Sequence, residues 1–460
     1  MVDVADKEIT VIGAERSGVA VAKLLKRHRG KVFVSDVGSS ETTRLHIDEL
    51  NRLGIEGEYG KHSERVYQCS FMVISPGVPT DAPVVVEAQQ RGIKVVAEIE
   101  VASWFCKGTI IAITGSNGKT TTTTLLGRIF SDAKKKHVVA GNIGTAFSSY
   151  VLDIDQETLV VLEVSSFQLD FIETFHPHIA VILNITQNHM DRYEHSMQRY
   201  ASSKARIFMN QTADDILIIN ASDPWIGKVS GEAKSTLVGF STTQELATGA
   251  YVQNESLTIR FDGKETPVVH INEISIKGEH NLQNAMAAAL AAQQSGVTPA
   301  YYKSTLRNFK GVEHRQEFVR EVNGIKYINN SKATTVEAVE AALKSYTEPI
   351  VLIMGGKDKG NDYSTIFDLV RHKVKTLVAT GHSSDTIMKN FSDKVRTVQI
   401  NTEGKAIPNI GSMKKAIDAA TAAAAPGDLV LLAPACTSFD WFHDYEERGR
   451  IFKHLVNELN

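Results

Sequence analysis

A glycine-rich turn follows an apolar run early in the chain and ends in lysine and threonine. It reads IAITGSNGKTT over residues 111–121. Glycines let successive backbone N–H groups point at one anion, and the helix that follows adds the positive end of its dipole. A lysine here can meet the β- and γ-phosphates of a nucleotide, and the next hydroxyl can bind Mg²⁺. The segment therefore predicts a phosphate site made of Gly115, Ser116, Asn117, Gly118, Lys119, Thr120 and Thr121.

Three side chains downstream could complete this chemistry, although each has an ordinary alternative. Glu163 ends the apolar run TLVVLE, a place where a Mg²⁺-binding acid commonly lies but where a solvated glutamate is also found. His189 follows ILNITQN and is either a ligand or a structural histidine. Lys204 lies in the helix-like segment HSMQRYASSKARIF and, by residue type alone, is a solvated lysine. The residue types alone therefore do not decide whether these side chains form a metal site.

The composition of the chain limits the classes of function that the protein can have. The 460 residues carry a formal net charge of -3, which gives no sign of a nucleic-acid partner. No apolar run approaches the roughly 20 residues that span a bilayer, and the start MVDVADKEITVIG is unlike a secretory signal. Three widely spaced cysteines do not form a disulfide framework. We expect a cytoplasmic protein without membrane insertion.

Strand-like and helix-like segments alternate through the chain and predict an α/β fold. EITVIG, KVFVSD, FMVISPG and IKVVAEIE are strand-like in the first part, and IKYINN, PIVLIMGG, TLVATG and DLVLLAPA in the last. Strands separated by helical patterns form parallel sheets. We predict three domains, over residues 1–106, 107–311 and 312–460. The outer two would be Rossmann-like, and the central one a mostly parallel sheet like that of phosphate-loop ATPases, with an antiparallel edge in AYVQNESLTIRF and TPVVHI.

The turn VIGAERSG in the first domain resembles a dinucleotide-binding turn imperfectly, because Glu15 replaces its second glycine. Asp36 ends the next strand, where a ribose-binding acid would lie. Taken alone, these residues suggest an oxidoreductase that binds NAD.

Several motifs together resemble the Mur ligase family, the ATP-dependent amide-forming enzymes of peptidoglycan synthesis. They are TGSNGKT from Thr114, EVSSFQL from Glu163, NHMD around His189 and APACTSFDWFHDYEERG from Ala433. Folylpolyglutamate synthases have a similar phosphate loop. The resemblance covers essentially the whole chain, and the last motif is most similar to the branch that adds D-glutamate.

The resemblance implies roles for individual residues of the first two domains. Glu163 and His189 would hold Mg²⁺ with Thr120, and CO₂ would carbamylate Lys204, so that it binds a second Mg²⁺. The UDP-sugar would contact Ser17, Asp36, Gly77, Asn142, Ser165 and Gln168. The helix carrying Asn281 and Asn284 would lie near adenine.

The resemblance also assigns residues of the third domain. Arg315 would reach the ATP phosphates, and Asp358 would position the nucleotide. D-glutamate would contact Lys332, Thr334, Lys359, Ser438 and Tyr445. The branch usually reads NDSKATN where this chain has NNSKATT, so Asn330 supplies no carboxylate.

The implied reaction uses ATP to phosphorylate the carboxylate of UDP-N-acetylmuramoyl-L-alanine, and the amine of D-glutamate then displaces phosphate. We expect a monomer that uses ATP and two Mg²⁺ ions. A sister ligase or a folylpolyglutamate synthase-like ligase would use another amino acid. A nucleotide-dependent switch or kinase would bind nucleotide without a UDP-sugar, and an oxidoreductase would bind NAD.

Overall fold

Runs of β-branched residues form the strands of three separate sheets, and the α/β class predicted from the sequence is confirmed. A computed structural model describes residues 2–188, 190–358, 360–402, 404 and 406–459. The chain divides into two units, Met1–Phe309 and Lys310–Asn460. The first unit contains two sheets, and the second contains one. The domain boundaries at residues 106 and 311 stay predictions.

The N-terminal sheet is parallel throughout, with strand order β3-β2-β1-β4-β5. Its strands are β1 (Glu8–Ile12), β2 (Lys31–Asp36), β3 (Glu56–Tyr59), β4 (Phe71–Ile74) and β5 (Lys94–Ala97). The connecting helices are α1 (Arg16–Arg27), α2 (Glu41–Arg52), α3 (Pro83–Gln90) and α4 (Glu98–Ser103). Val11, Val34 and Val73 are fully buried between these layers. This order matches the first five strands of the Rossmann order 3-2-1-4-5-6.

The central sheet runs in the order β14-β13-β12-β11-β10-β9-β6-β8-β7. Its strands are β6 (Thr109–Thr114), β7 (His137–Gly141), β8 (Leu159–Glu163), β9 (Ile179–Ile182), β10 (Ile216–Asn220), β11 (Thr236–Ser241), β12 (Gly249–Gln253), β13 (Ser256–Phe261) and β14 (Lys264–His270). The helices are α5 (Lys119–Asp132), α6 (Phe147–Tyr150), α7 (Ser166–Leu169), α8 (Met197–Ala205), α9 (Pro224–Val229), α10 (Glu279–Gln294) and α11 (Pro299–Asn308). The pairings are parallel except at β13 and β14, which form the predicted antiparallel edge.

The C-terminal sheet has the order β15-β16-β20-β17-β18-β19, and only β15 pairs antiparallel. Its strands are β15 (Glu317–Val322), β16 (Ile325–Asn329), β17 (Ile350–Gly355), β18 (Val374–Thr380), β19 (Arg396–Gln399) and β20 (Leu429–Leu432). The helices are α12 (Val336–Lys344), α13 (Phe367–Lys373), α14 (Ser384–Phe391), α15 (Ile410–Ala423) and α16 (Tyr445–Asn457). Because β16, β20 and β17 are adjacent and parallel, the loops that follow them lie at one edge of the sheet.

None of the helices in the described ranges combines the length and the apolar character that crossing a bilayer requires.

A buried carboxylate joins the first two sheets. Glu100, on α4, accepts hydrogen bonds from the backbone N–H groups of Glu173, Thr174 and Phe175 and from the indole of Trp104. Burial acts to raise the pKa of Glu100, but the hydrogen bonds from Thr174, Glu173 and Trp104 outweigh burial, and the pKa lies below its ordinary value. The folded state is therefore stabilised by the ionised form.

We expect Glu100→Gln to lower the free energy of unfolding of the first unit by about 3 kcal/mol, because the new amide group faces backbone donors and leaves them unpaired. The folded pKa of Glu100 is depressed, so the wild-type advantage is present above the unfolded pKa near 4.5 and is lost as pH falls through the folded pKa. Urea unfolding at pH 7 and at pH 4 measures both effects.

The exposed variant Glu157→Gln is the matched control and should change stability by less than about 0.5 kcal/mol. Equal losses in the two variants would show that Glu100 does not act as a structural acceptor.

Candidate active site

The predicted phosphate loop connects β6 to α5, and its backbone is fixed by the segment after β9. Gly115 and Gly118 have φ values of 154° and 85°, which favour glycine. The N–H groups of Ser116 and Asn117 donate to the carbonyl and side-chain oxygens of Asn184, each at 2.9 Å. Because neighbouring parallel strands end at the same edge, β9 supplies this support directly beside β6. Asn184 therefore fixes the backbone conformation of the first half of the loop.

Two lysine side chains converge on one carbonyl of this loop. Lys119 Nζ donates to the carbonyl oxygens of Gly115 at 2.8 Å and Ser116 at 3.0 Å, and Lys204 Nζ donates to that of Gly115 at 3.0 Å. Lys204 is 1% exposed, and its amine lies 4.6 Å from the ring centroid of Tyr200. Sequence reasoning had left a solvated lysine as the alternative for Lys204, and the structure rejects that alternative.

Burial, and then the positive charge of Lys119, lowers the pKa of Lys204 well below its ordinary value, against a smaller opposing effect of Asp170. A neutral amine has a free lone pair and is nucleophilic, whereas an ammonium ion is not. The surroundings of Lys204 therefore favour its unprotonated form.

Glu163 presents an unpartnered carboxylate oxygen at the same edge of the sheet. It ends β8 opposite Ile113 of β6, and it is 3% exposed. Oε1 accepts a hydrogen bond from Asn142 Nδ2 at 3.1 Å, while Oε2 is buried and has no hydrogen-bond partner among the described residues. A buried carboxylate oxygen without a hydrogen-bond donor is unfavourable unless a cation binds to it. The residue therefore fits the hard, oxygen-binding ion Mg²⁺.

The structure describes only one of the two other predicted metal ligands. Thr120 is buried in the first turn of α5, directly after Lys119. His189 lies outside the described residues.

The predicted UDP-sugar contacts of the central domain already bond to one another. Gln168 Oε1 accepts from both the backbone N–H and the hydroxyl of Ser165 at 3.0 Å, which caps α7. Gln168 Nε2 is buried and unpartnered within the part of the chain that the structure describes, so it is the donor that remains for a ligand. The sequence also predicts Asn142 as a substrate contact, and in the structure its amide donates to Glu163.

The helix predicted to lie near adenine packs directly on the phosphate loop. Asn284, on α10, accepts from the Thr122 hydroxyl at 3.2 Å and donates to Asn281 Oδ1 at 3.2 Å. A Cβ at Gly118 would come within 2.2 Å of Asn284 Oδ1, so only glycine permits this approach. The structure thus brings Asn284 to the phosphate loop and Asn281 beside Asn284, and their contact with adenine stays a prediction.

The predicted residues of the N-terminal domain lie on loops at the ends of β1, β2 and β4. The Asp36 carboxylate accepts the backbone N–H groups of Ala14 at 2.6 Å and Gly38 at 2.7 Å, so it shapes two turns. Ser17 is half-buried in the first turn of α1, and Gly77 is exposed. Sequence reasoning missed Arg16, which donates to the Gly144 carbonyl at 2.7 Å and joins this domain to the loop after β7.

Loops at one edge of the C-terminal sheet carry the predicted residues of that unit. Lys332 Nζ lies 5.7 Å from the ring centroid of Tyr445, and Thr334 follows in the same loop. Ser438 is buried after β20, and Asp358 accepts the N–H groups of residues 360 and 361 after β17. Lys359 lies outside the described residues.

A buried arginine that sequence reasoning missed connects two of these loops. Arg448 donates to the Ser331 hydroxyl at 2.9 Å, the Ser331 carbonyl at 2.8 Å and the Cys436 carbonyl at 3.2 Å. Burial lowers the pKa of Arg448 to about 10, so it stays charged at neutral pH. The signal was present in the EERG end of the last motif.

We expect Lys204→Met to raise the Tm of the first unit by about 2–4 °C in CO₂-free buffer, because an apolar side chain replaces a desolvated amine. The folded pKa of Lys204 is depressed, so the unfolded chain binds the extra proton and the wild type loses stability as pH falls below 10.5. The difference should therefore widen between pH 9 and pH 6. Calorimetry of both proteins measures it.

The matched control is Lys107→Met, which removes an exposed lysine of the same unit and should show no such widening. A Lys204→Met protein that melts below the wild type at both pH values would contradict the assignment of a neutral amine.

Comparisons with known proteins agree with this geometry. Three family profiles match successive parts of the chain: the MurD-like N-terminal domain over residues 7–97, the Mur ligase middle domain over 113–292 and the glutamate ligase domain of Mur ligases over 314–436. A solved UDP-N-acetylmuramate-alanine ligase from Thermotoga maritima has a similar fold, with a TM-score of 0.58 at 19% identity over 98% of this chain and 99% of its own.

Curated relatives extend the similarity to the whole chain. A UDP-N-acetylmuramoylalanine–D-glutamate ligase from Chloroherpeton thalassium is 42% identical over 99% of each chain. A protein of the same name from Salinibacter ruber is 41% identical over 98% of this chain and 97% of its own. Because this identity spans all three domains and the three family profiles agree, the chain belongs to the Mur ligase family.

Proposed function

We propose that this protein uses ATP to join the amine of D-glutamate to the carboxyl group of UDP-N-acetylmuramoyl-L-alanine, in the synthesis of peptidoglycan precursors. The full-length similarity to ligases of that name supports the choice of substrates. The observation that carries the proposal is the phosphate loop with Lys119 beside the buried amine of Lys204 and the unpartnered oxygen of Glu163.

The chemistry explains why a phosphate site is needed. A carboxylate is a poor electrophile, and transfer of the γ-phosphoryl group turns it into an acyl phosphate with a good leaving group. Attack by the amine then breaks the carbon–oxygen bond to phosphate and forms the amide. Both substrates of the first step are anions, so the chain must offset their repulsion. We assign that role to Lys119 and to Arg315.

The residues present fit a metal ion. Glu163, Thr120 and His189 would hold Mg²⁺, which when bound neutralises charge on the phosphate oxygens. The Lys204 amine is desolvated and its pKa is lowered, which favours the neutral form that reaction with CO₂ requires. As a carbamate it would offer oxygen ligands to a second Mg²⁺. Asn142 orients Glu163 through its amide, so that Oε2 remains available.

Substrate recognition divides among the loops at strand ends. We assign the UDP-sugar to Ser17, Asp36, Gly77, Asn142, Ser165 and Gln168, and the nucleotide to the phosphate loop with Asn281, Asn284, Arg315 and Asp358. We assign D-glutamate to Lys332, Thr334, Lys359, Ser438 and Tyr445. A monomer in the cytoplasm, where ATP is supplied, is part of the proposal.

The alternatives raised by the sequence differ in how well they fit. Membership of the Mur ligase family rejects the oxidoreductase, the switch and the kinase. A sister ligase or a folylpolyglutamate synthase-like enzyme shares the phosphate chemistry and differs in the amino acid. The names of the full-length relatives favour D-glutamate over both.

Phosphate release from ATP, measured with UDP-N-acetylmuramoyl-L-alanine and a panel of amino acids, tests the proposal. We expect release with D-glutamate and none with L-glutamate, L-alanine or meso-diaminopimelate. Without an amino acid, hydroxylamine should trap the activated carboxylate as a hydroxamate.

The control Lys119→Ala should lower release by about 10²-fold or more, because it removes preorganised charge at the phosphates. Release with the diamino acid alone, or with no member of the panel, would reject the proposed substrate. A missing hydroxamate would reject the acyl phosphate.

A further inference from the structure

The short loop before β15 holds Arg315 between two residues in the left-handed backbone region. His314 has φ of 63° and Gln316 has φ of 46°. For side chains larger than glycine, this conformation costs on the order of 1–3 kcal/mol and persists only where surrounding contacts impose it. The backbone around Arg315 is therefore strained, and the strain needs a structural cause.

Backbone hydrogen bonds on both sides of Arg315 supply that cause. The His314 N–H donates to Glu317 Oε2 at 2.9 Å, and the His314 carbonyl accepts the Lys332 N–H at 3.1 Å. The Gln316 N–H donates to Asn330 Oδ1 at 3.1 Å. The loop of Arg315 is thus tied to the loop of Lys332, which the proposed function assigns to D-glutamate.

The His314 side chain is the buried centre of this arrangement. The residue is 3% exposed, and its ring meets that of Tyr445 edge-on at 6.2 Å between centroids. A Cβ at position 449 would come within 2.1 Å of His314 Nδ1, so Gly449 makes room for the imidazole. The imidazole therefore also contacts α16, the helix that begins with Tyr445.

Asn329 fixes the state of that imidazole. Its Oδ1 accepts the Ser331 N–H at 3.1 Å, so its Nδ2 must face His314 Nδ1 at 2.9 Å and Glu317 Oε2 at 3.0 Å. A donor aimed at Nδ1 requires that nitrogen to be unprotonated. Burial also lowers the pKa of His314, which keeps the ring neutral.

The neighbouring carboxylates do not make this cluster a metal site. Ligand atoms of Glu313, His314 and Glu317 lie within 4.8 Å of one another. The ammonium of Lys453, however, lies 2.8 Å from Glu313 and 2.7 Å from Glu317. A lysine already supplies the cation, so the cluster serves a structural purpose.

We propose that His314 and Asn330 are positioning residues that hold the strained backbone on either side of Arg315 and couple it to the loop of Lys332. This inference rests on the proposed role of Arg315 in phosphoryl transfer. Asn330 acts as an uncharged acceptor for the Gln316 N–H.

Three substitutions at position 314 test the roles of the imidazole and of the left-handed backbone conformation. His314→Asn keeps an acceptor and tolerates the left-handed region, His314→Gly keeps only the backbone, and His314→Ala keeps neither. We expect kcat to stay within about 3-fold of wild type in His314→Asn and to fall by about 10–100-fold in the other two, since a small misplacement of a catalytic group has this effect. The KM for ATP should change little.

Position 330 gives an independent version of the test. Asn330→Asp keeps the acceptor and should retain activity, whereas Asn330→Ala should lower kcat as His314→Ala does. The exposed variant Glu313→Gln leaves Lys453 paired with Glu317 and serves as the control, with kcat and Tm unchanged. Steady-state kinetics and calorimetry of the full-length enzyme provide these values.

A double-mutant cycle with Arg315→Ala decides whether these residues act through Arg315. If they do, adding His314→Ala or Asn330→Ala to Arg315→Ala produces no further loss of kcat. Losses that multiply, or single variants with lower Tm and normal kcat, would overturn the inference and leave the proposed function intact. Full activity in Arg315→Ala alone would instead reject the proposed role of Arg315.

Discussion

Two lysine side chains that meet at the carbonyl of Gly115 set the character of this protein's active site. Like charges at such close range repel, and burial makes the repulsion stronger because little water screens it. Lys119 is partly exposed and lies in the predicted phosphate loop. Lys204 is enclosed by that loop and by Tyr200, and its pKa lies well below its ordinary value. Burial lowers the pKa of Lys204 most, and the positive charge of Lys119 lowers it further.

Side chains at the ends of neighbouring strands fix a loop in both units of the chain. In the central sheet Asn184, after β9, holds the phosphate loop that follows the parallel neighbour β6. In the C-terminal sheet Asn329, which ends β16, and Asn330 hold the loop of Arg315, which leads into the antiparallel neighbour β15. Buried polar side chains are unfavourable unless satisfied, so each such contact selects one loop conformation.

The sequence predicts the strands and the phosphate loop well because both depend on local pattern. Apolar β-branched runs mark buried parallel strands, and the spacing of Gly115, Gly118 and Lys119 fixes the loop. The resemblance to known ligases then supplied the remaining site residues. By contrast, the enclosure of Lys204 depends on the carbonyl of Gly115, which lies 89 positions away along the chain, and Tyr200 adds to it from the preceding turn on the same face of the helix. No local pattern encodes that enclosure.

The contacts that sequence reasoning missed are those between distant side chains and backbone groups. Asp36 resembles a ribose-binding acid in the sequence, yet its carboxylate shapes two turns of its own domain. Arg448 belongs to a motif, but its burial under the loops of Ser331 and Cys436 becomes visible only in three dimensions. These contacts join residues that lie far apart in the sequence, so the periodicity of the sequence does not reveal them.

We propose that the lowered pKa of Lys204 makes its amine available to CO₂, which would convert it into an anion beside the phosphate loop. Carbon-13 NMR of the full-length protein, equilibrated with ¹³C-labelled bicarbonate at pH 8, tests it most directly. Our account predicts a carbamate carbonyl resonance in the wild type that persists in Lys119→Met and disappears in Lys204→Met. A spectrum without such a resonance, or one that survives the loss of Lys204, would contradict it.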